Sequence, residues 1–462
     1  MDSPLLRIWK AVVKACPVQA AVTDAVTGTL WTRSAIAHAA AGFAAAYTIS
    51  VPRPRGRRVV MSVPHGGRWF EVFLGLAMAG SVPVPIDPAE PEGATVAAAQ
   101  ALGATHLWRD GRLSPIGSRG RKAAGRTLPF LVKLTSGSSG SPKGLEATAA
   151  QMVADGRQIC ATMGIRPGDS NLATIPFGYS YGLGNLVMPL LLQGTHIVCA
   201  SSPLPHAIAS DALRHRPTVL ATVPPLIRAL AASDLEKGSL DSIRLVVSAG
   251  SPLPREVAWA FHQRFGISVH GFYGTSETGG IAFDRSGQAT LAGRSVGAPL
   301  KGVRVVFRGR GAFQVSSPAV LGRGKFIPAD RACLNEDGEL VLLGRTDRVV
   351  KVAGRRLDLA EIERTLRSLP GVRDAFAHAL PGTEPLLAAA VVADTSAAEL
   401  KRRLRSNLAS WKVPSRLLML AEFPVTGRGK TDVQKLRHLL SAPRTATSIS
   451  TLSAARQMSA RR

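Results

Sequence analysis

Short apolar segments alternate with longer Ala- and Leu-rich segments between about residue 20 and residue 350. The apolar segments include RRVVMSV at 57–63, PTVLATV at 217–223 and IRLVVSAG at 243–250. Continuous apolar runs of this length are typical of strands covered on both faces, and the segments between them favour helices. The pattern therefore predicts βαβ units with parallel sheets, which is an α/β fold.

The pattern changes twice in the second half of the chain. From 295 to 344, short β-rich segments such as VRVVF and ELVLLGR are separated by Gly-rich turns, which favours a small barrel-like part. Beyond that point, AEIERTLRSL at 360–369 predicts a helix and LLAAAVVA at 386–393 a buried strand. AAELKRRLRSNLA at 397–409 predicts an amphipathic basic helix, so this region is expected to be a separate α+β unit.

These changes define the expected domains. We predict a large domain over 1–344 and a smaller one over 345–440. The remaining 441–462 contains Arg, Ser, Thr and Ala but no acidic residue, and is predicted to be a disordered basic tail. Within the large domain, the Arg- and Gly-rich segments 53–58 and 109–126 are predicted to be exposed loops.

Composition supports an ordinary globular protein. The chain has 462 residues, and 45% hydrophobic residues exclude a disordered protein. Lys and Arg number 57 against 31 Asp and Glu, which gives a formal net charge of +26. This charge is diffuse, so we interpret it as compositional bias plus long-range attraction of anionic ligands, not as a dedicated polyanion-binding surface.

The cysteines and the beginning of the chain bear on its environment. Cys16, Cys160, Cys199 and Cys333 are widely spaced without a CxxC pair, which favours buried structural thiols over disulfides or a zinc site. The beginning of the sequence lacks a basic segment followed by an apolar core, and no apolar run approaches the roughly 20 residues of a membrane span. We therefore expect a cytoplasmic protein without a membrane span.

The most specific local motif is LTSGSSGSPKG at 134–144. Its glycines allow backbone N–H groups to approach phosphate oxygens, and Lys143 supplies a positive charge. The motif is not a Walker sequence, because Lys143 is followed by Gly144 and not by Ser or Thr. A phosphate-binding loop is the favoured interpretation, with a flexible Ser/Gly linker as the alternative.

Three further motifs follow, namely YGTSETGG at 273–280, GRTDRVVKVAGRRLDLAEIE at 344–363 and FPVTGRGKTDVQKL at 423–436. By these four motifs, in this order, the chain resembles the adenylate-forming superfamily of acyl-CoA synthetases, nonribosomal peptide adenylation domains and luciferases. The resemblance implies a large N-terminal domain of parallel αβ subdomains with a small barrel-like part. A small, mobile α+β C-terminal domain follows it.

The resemblance also implies a nucleotide site. Tyr273 is expected to stack on adenine, Asp330 to bind the ribose hydroxyls, and Arg345 to contact ribose or phosphate. Ser276 and Glu277 are expected to be catalytic, Ser276 through the α-phosphate and Glu277 as the Mg²⁺ ligand. The remaining nucleotide-binding or thiol-site residues implied are Thr135, Ser136, Gly137, Ser138, Ser139, Gly140, Lys143, Ala249, Gly250, Ser251, Gly274, Thr275, Lys351 and Gly354.

Lys430, in TGRGKTD, is the main catalytic residue that the resemblance implies. A cation between the attacking carboxylate and the α-phosphate offsets the repulsion of the two anions. Asp347 is expected to be the hinge that lets the small domain rotate. After that rotation, Lys351 and Gly354 are expected to line the channel of a pantetheine thiol, which belongs to CoA or to an acyl carrier protein.

The acyl pocket departs from the family pattern. Tyr179, in IPFGYSYGLGN at 175–185, occupies the usual His position and is expected to shape the pocket, with Gly182 and Gly274 leaving room for the substrate. The matching pocket segments contain no acidic residue, which disfavours an α-amino substrate. We expect a fatty, hydroxy-fatty or aryl carboxylic acid, with an amino acid as the alternative.

Two other functions compete with this interpretation. GYSYG at 178–182 has the form of a GxSxG elbow, so an α/β-hydrolase could use Ser180 with Asp211 or Asp241 and His262 or His270. A basic nucleic-acid-binding protein would explain the charge. However, only 5% of the residues are aromatic, which argues against base stacking, and no nucleic-acid partner is expected.

Overall fold

The computed structural model describes residues 3–117, 128–136, 142–345, 348–352, 355–380, 386–426 and 431–442. The chain forms two compact units. One contains the residues up to Gly344, and the other contains Arg345–Thr426 and the described residues from Thr431 onward. The expected α/β fold, with a large N-terminal domain of parallel sheets and a small C-terminal domain, is confirmed.

The large unit contains the first eleven α-helical segments of the described chain. They are α1 (Pro4–Ala15), α2 (Arg33–Ser50), α3 (Gly67–Met78), α4 (Glu92–Ala101), α5 (Ala149–Met163), α6 (Ser180–Gly182), α7 (Met188–Gln193), α8 (Pro205–His215), α9 (Pro224–Ala232), α10 (Arg255–Phe265) and α11 (Gln288–Ala292). A π-helical turn at Leu183–Val187 joins α6 to α7, and Lys237–Leu240 is a 3-10 turn.

The strands before residue 250 are β1 (Ala20–Asp24), β2 (Leu30–Thr32), β3 (Arg58–Ser62), β4 (Val82–Ile86), β5 (His106–Arg109), β6 (Arg112–Pro115), β7 (Leu131–Ser136), β8 (Pro142–Ala147), β9 (Ser170–Ala173), β10 (His196–Cys199), β11 (Val219–Thr222) and β12 (Leu245–Ser248). The later strands of this part are β13 (Val269–Thr275), β14 (Gly279–Phe283), β15 (Ala298–Pro299), β16 (Arg304–Phe307), β17 (Phe313–Ser316), β18 (Lys325–Phe326), β19 (Asp330–Leu334) and β20 (Leu340–Arg345).

The largest sheet has nine strands in the order β15-β14-β13-β12-β11-β9-β10-β1-β2. Its central strands are parallel from β13 to β1, and β11 and β12 are buried throughout, as their continuous apolar sequences predict. The segments after β9, β12 and β13 therefore leave the same edge of the sheet. In open α/β sheets, ligands bind outside this carboxyl edge.

A second sheet has the order β4-β3-β5-β6, and β7 pairs with β8 in a hairpin. The prediction of a loop over 109–126 is wrong for β6, which pairs antiparallel with β5. Asp110 and Gly111 connect the two strands, both with positive φ (49° and 76°), as a tight hairpin turn requires. The Asp-Gly pair was the signal for this hairpin.

Smaller sheets, β16-β17-β18 and β19-β20, form the β-rich part predicted over 295–344. Phe313, Val315, Ala332 and Leu340 are buried in one core with Ile281 of the large sheet. This core fixes β19, which begins at Asp330, against the end of the nine-stranded sheet.

The cysteine prediction holds for two of the four thiols. Cys160 and Cys199 are buried, and burial raises the pKa of each to about 12. Cys16 and Cys333 are exposed, so the expectation that they are buried is wrong. Among the helices in the described ranges, none combines the length and apolar character needed to cross a membrane.

The second unit contains β21 (Val349–Val352), β22 (Arg355–Asp358), α12 (Leu359–Arg367), β23 (Val372–Leu380), β24 (Leu386–Ala393), α13 (Ala397–Asn407), β25 (Arg416–Leu420) and α14 (Val433–Ser441). The β24 sequence LLAAAVVA is buried on both faces. One face packs with α12 and α13, and the other with α14. The helices and the strand predicted in this region are therefore confirmed, and the tail from residue 443 onward lies outside the described residues.

Candidate active site

The motif YGTSETGG forms the end of β13, a tight turn and the start of β14. The buried Thr278 hydroxyl accepts a hydrogen bond from the Thr275 N–H group at 3.3 Å, which closes the turn. Ser276 and Glu277 lie at its tip and are half-buried. The turn therefore presents a hydroxyl and a carboxylate at the end of β13, at the carboxyl edge of the large sheet.

The glycines of this motif are required by close backbone contacts. A Cβ atom on Gly274 would lie 2.4 Å from the Gly279 carbonyl oxygen. Gly279 has a φ of +69°, and a Cβ atom there would lie 2.2 Å from Asp155 Oδ1. The same Asp155 oxygen accepts the Gly280 N–H group at 2.9 Å, so Asp155 anchors the turn from helix α5.

Two residues predicted for nucleotide binding are in direct contact. The Tyr273 hydroxyl donates a hydrogen bond to Asp330 Oδ2 at 2.9 Å. Both side chains are half-buried, and Asp330 is the first residue of β19. The tyrosine from the large sheet and the aspartate from the small β-rich part thus form one polar group.

The predicted phosphate loop is the connection of the β7–β8 hairpin. Thr135 pairs with Lys143 and Ser136 with Pro142, so both ends of the loop are held at adjacent positions. Lys143 is exposed. Residues 137–141 lie outside the described part of the chain, as do the side chains of Thr135 and Ser136.

The segment after β12 lies next to these elements in the sheet order. Ala249 is buried and its N–H group donates to the Thr222 carbonyl at 3.2 Å. Gly250 follows with a φ of +90°, which turns the chain away from the strand, and Gly250 and Ser251 are exposed. The backbone of this segment is thus available at the same edge as the β13 turn.

Sequence reasoning missed Lys133 and Asp155, which are 2% and 3% exposed. Burial lowers the pKa of Lys133, and the carboxylates of Asp155 and Glu277 oppose that shift. Burial raises the pKa of Asp155, opposed by Lys133 and by the Gly280 N–H group. A lysine inside the apolar segment LPFLVKL was the available signal for this buried charge.

On the acyl side, Tyr179 donates a hydrogen bond from its hydroxyl to Asp87 Oδ2 at 3.1 Å. Asp87 follows β4. The segments that match the family's acyl pocket contain no acidic residue, and Asp87 lies outside those segments. Nearby, His65 stacks on Phe177 and its Nε2 accepts the Phe177 N–H group at 3.2 Å. Burial lowers the pKa of His65 to about 4, and Asp87 partly opposes this shift, so His65 is neutral near pH 7.

The small residues of this region serve close packing. A Cβ atom on Gly182 would lie 1.9 Å from the Pro176 carbonyl oxygen, and one on Gly178 would lie 2.8 Å from Pro85 Cβ. At Gly274, the Gly279 carbonyl likewise occupies the position that a side chain would need. From the sequence, Gly182 and Gly274 are expected to leave room for the substrate. The space beside both glycines is instead occupied by the protein backbone, at Pro176 and Gly279.

The hydrolase alternative lacks a catalytic geometry. The Ser180 hydroxyl is buried and has no hydrogen-bond partner in the described part of the chain. Asp211 instead accepts hydrogen bonds from Ser201, and His270 Nδ1 lies 2.8 Å from the Asp284 carbonyl oxygen. Neither forms the nucleophile–base contact that a GxSxG elbow requires.

Two known protein families match segments of this chain. The family described as AMP-binding enzyme matches residues 118–310, and the AMP-binding enzyme C-terminal domain matches residues 361–430. The chain belongs to the AMP-binding enzymes. The first match contains the motifs at 134–144 and 273–280, and the second contains the first eight residues of the motif at 423–436.

Other AMP-binding enzymes are similar along much of the chain. A 3-hydroxybenzoate–CoA/4-hydroxybenzoate–CoA ligase of Thauera aromatica is 28% identical over 344 residues, 67% of this chain and 66% of that protein. Feruloyl-CoA synthase of Amycolatopsis is 28% identical over 333 residues, 65% of this chain and 67% of that protein. The chain thus matches about two thirds of the length of these curated relatives.

A solved structure shows the same fold. ATP-bound MatB from Rhodopseudomonas palustris superimposes with a TM-score of 0.79 at 21% identity, over 94% of this chain and 98% of that one. At 21% identity, this similarity shows that the two proteins share a fold.

Glu277 is the candidate carboxylate for a magnesium ion that would be held together with a nucleotide. The described residues contain no group of three His, Cys, Asp or Glu side chains that could hold a metal alone. Glu277 is a single half-buried carboxylate at the turn, while Asp155 already binds a backbone amide. Mg²⁺ takes one or two carboxylates when phosphate oxygens complete its shell, so Glu277 suffices.

The remaining predicted residues of this AMP-binding enzyme are distributed over both units. Arg345 ends β20 and is exposed, and Lys351 lies in β21. The residues that lie outside the described parts of the chain are Gly137, Ser138, Ser139, Gly140, Asp347, Gly354 and Lys430. Their roles stay predictions.

Proposed function

We propose that this chain is an AMP-forming acid–thiol ligase, which joins a carboxylic acid to CoA in two steps that consume ATP. The supporting observation is the Tyr273–Asp330 hydrogen bond beside the turn that carries Ser276 and Glu277. An aromatic ring, a diol-binding carboxylate and a metal-binding carboxylate are the groups that a Mg·ATP complex requires.

In the first step, a substrate carboxylate oxygen attacks the α-phosphorus of ATP, and the bond to the β-phosphate oxygen breaks. Tyr273 stacks on adenine, Asp330 accepts hydrogen bonds from the ribose hydroxyls, and Ser276 binds the α-phosphate. Lys430 bridges the two anions, and its effect grows as charge redistributes in the transition state. Glu277 would hold Mg²⁺ together with the nucleotide, and that ion would supply charge neutralisation for the phosphates and the leaving pyrophosphate.

In the second step, the thiol sulfur attacks the acyl carbonyl carbon, the thiol proton is lost and AMP leaves. Asp347 serves as the hinge for the required rotation of the smaller unit. Lys351 and Gly354 then border the pantetheine channel. CoA is the favoured acceptor because the similar proteins are named as CoA ligases, and an acyl carrier protein is the alternative. A cytoplasmic location is part of this proposal.

We further infer that the acid is an aryl carboxylic acid. The hydroxybenzoate and ferulate named for the two relatives are aromatic acids. His65, Trp69, Phe70 and Phe177 form an aromatic cluster, largely buried in the core, that supports the chain segment carrying Tyr179 from an apolar side. An amino-acid substrate is the second candidate, because Asp87 brings a carboxylate to Tyr179.

The test is acid-dependent exchange of pyrophosphate into ATP, with a panel of benzoates, cinnamates, fatty acids and amino acids. We expect exchange with at least one aryl acid. Lys430→Ala is expected to reduce it about 100- to 1000-fold, the loss typical of a group that stabilises transition-state charge. Lys435→Ala is the matched control, because Lys435 is an exposed lysine of α14 outside the proposed site.

The result also distinguishes the alternatives. Exchange only with amino acids would make the chain an amino-acid-activating enzyme. Release of AMP that depends on carrier protein and not on CoA would reassign the acceptor. Absence of exchange with every acid, despite measurable ATP binding, would remove the ligase proposal.

A further inference from the structure

Helix α5 carries a row of polar side chains that bind the backbone or side chains of later segments. The row occupies positions i, i+4, i+7 and i+11, which lie on one face of a helix. Its contacts are Gln151 Nε2 to the Val320 carbonyl (3.1 Å), Asp155 Oδ1 from the Gly280 N–H (2.9 Å), Gln158 Oε1 from the Ser317 hydroxyl (3.2 Å) and Thr162 Oγ1 from the Lys301 N–H (3.0 Å).

Two of these contacts hold the turn that contains Glu277. Asp155 binds the turn directly at Gly280. On the other side, the Glu277 carbonyl accepts the Leu321 N–H group at 2.8 Å, and Gln151 binds the adjacent Val320. The backbone of the turn is therefore fixed from two directions, and both originate on the same face of α5.

Asp155 is the charged member of this row, and Lys133 is a buried lysine of the same unit, whose charge opposes the rise in the pKa of Asp155 that burial causes. Lys133 lies on β7, which leads directly into the predicted phosphate loop, and its electrostatic partners are Asp155 and Glu277. A buried carboxylate without a counter-charge is costly, so Lys133 stabilises the ionised form of Asp155.

We propose that Asp155 is a positioning residue that holds the Glu277 turn ready for a divalent cation, through the hydrogen bond that it accepts from the Gly280 N–H group. This inference rests on the proposed function, since it takes Glu277 as the metal-binding carboxylate. Asp155 is not assigned to contact ATP. Loss of the acceptor at position 155 releases the turn and weakens the binding of Mg·ATP.

The experiment compares two double variants that both lack the charge pair. Lys133→Met/Asp155→Asn keeps an oxygen acceptor for the Gly280 N–H group, whereas Lys133→Met/Asp155→Leu does not. ATP binding without the acid is measured by calorimetry over a range of Mg²⁺ concentrations. We expect the Mg²⁺ concentration for half-maximal ATP binding to be about tenfold higher in the Leu variant, the effect of one hydrogen bond. Equal values in the two variants, within twofold, would overturn the role of Asp155.

The role of Lys133 is tested by thermal unfolding. Lys133→Met alone leaves the Asp155 carboxylate unpaired, so its Tm is expected to lie below that of Lys133→Met/Asp155→Asn. A Tm of the single variant equal to or above that of the double variant would show that Lys133 is not the counter-charge. The two double variants contain no unpaired charge at this site, so they remain informative if the single variant Lys133→Met fails to fold.

Asp169→Asn provides the matched control. Asp169 is a buried carboxylate of the same unit, bound to Arg244 and Thr218. Its variant is expected to lower the Tm without a change in the Mg²⁺ dependence of ATP binding. If the wild-type protein lacks both exchange and Mg²⁺-dependent ATP binding, the proposed function fails. If the wild type responds to Mg²⁺ but the two double variants agree, only this inference fails.

Discussion

Two tyrosine–aspartate hydrogen bonds occur in the large unit, one on the predicted nucleotide side and one on the predicted acyl side. Tyr273 donates to Asp330 at 2.9 Å, and Tyr179 donates to Asp87 at 3.1 Å. The first pair unites two residues of the predicted nucleotide site. The second pair includes an aspartate that no motif pointed to.

The surroundings of the two pairs differ as well. The Tyr273–Asp330 pair lies on strands beside a turn that presents the Ser276 hydroxyl and the Glu277 carboxylate. The Tyr179–Asp87 pair lies beside His65, which stacks on Phe177 within a buried aromatic cluster. The same type of hydrogen bond thus has polar neighbours in one region and an apolar aromatic cluster beside it in the other.

Among the substitutions that compare these two regions, the largest effect is expected from Gly279→Ala on the nucleotide side. The positive φ and the contact with Asp155 together oppose a side chain, at a cost of about 3 kcal/mol. We expect the pyrophosphate exchange rate to fall about a hundredfold, which is the equivalent of that energy. Exchange kinetics together with Tm separate a local effect on the turn from general unfolding.

Gly178→Ala is the comparison on the acyl side. Its added methyl group would meet the Pro85 ring at 2.8 Å with ordinary backbone angles, so a small shift of neighbours can accommodate it. The KM of the acid is expected to rise, while the KM of ATP stays unchanged. A large rise in the KM of ATP would contradict the separation of the two regions.

The next effect concerns the pH dependence of stability through His65. Its pKa in the folded protein is about 4, against about 6.5 for an exposed histidine, so the unfolded chain binds the proton first as the pH falls. The contribution of His65 to the free energy of unfolding is therefore complete well above pH 6.5 and is lost as the pH falls towards 4. The loss from this group is about 2 kcal/mol at pH 5.

His65→Gln removes the ionisable group from the acyl side. We expect the loss of stability between pH 6.5 and pH 5, measured by denaturant unfolding, to be smaller in this variant by that amount. His196, whose pKa burial also lowers to about 4, remains as an internal reference, because it binds Thr23 and Ser170 elsewhere in the sheet. An unchanged pH profile would indicate that His65 is not the group that titrates.

These regions also show which features the sequence could predict. The nucleotide motifs are contiguous, so the turn residues are recognisable from local residue types. Asp155 and Asp87 are separated from their partners by 125 and 92 residues, and only the folded sheet brings them together. Buried charges of this kind have no local pattern, whereas the missed strand β6 did have one in its Asp-Gly turn.

Tyr273→Phe is expected to have a moderate effect. It keeps the ring and removes the hydroxyl that orients Asp330, a loss of about 1 kcal/mol for one hydrogen bond. The KM of ATP should rise about fivefold, with the KM of the acid unchanged, as measured in exchange assays. Asp330→Asn is the companion variant, and an effect on the KM of the acid in either variant would show that this pair serves both substrates.

Tyr179→Phe is expected to have the smallest effect, because the aromatic ring that shapes the pocket is retained. The KM of an aryl acid should change about threefold or less, the effect of losing the hydrogen bond to Asp87. Asp87→Asn keeps an acceptor for the Tyr179 hydroxyl and should have an even weaker effect on aryl acids. If Asp87→Asn instead abolishes exchange with amino acids while exchange with aryl acids persists, Asp87 is an ammonium-binding carboxylate. In that case the two tyrosine–aspartate pairs are both recognition sites, and the contrast between the two regions disappears.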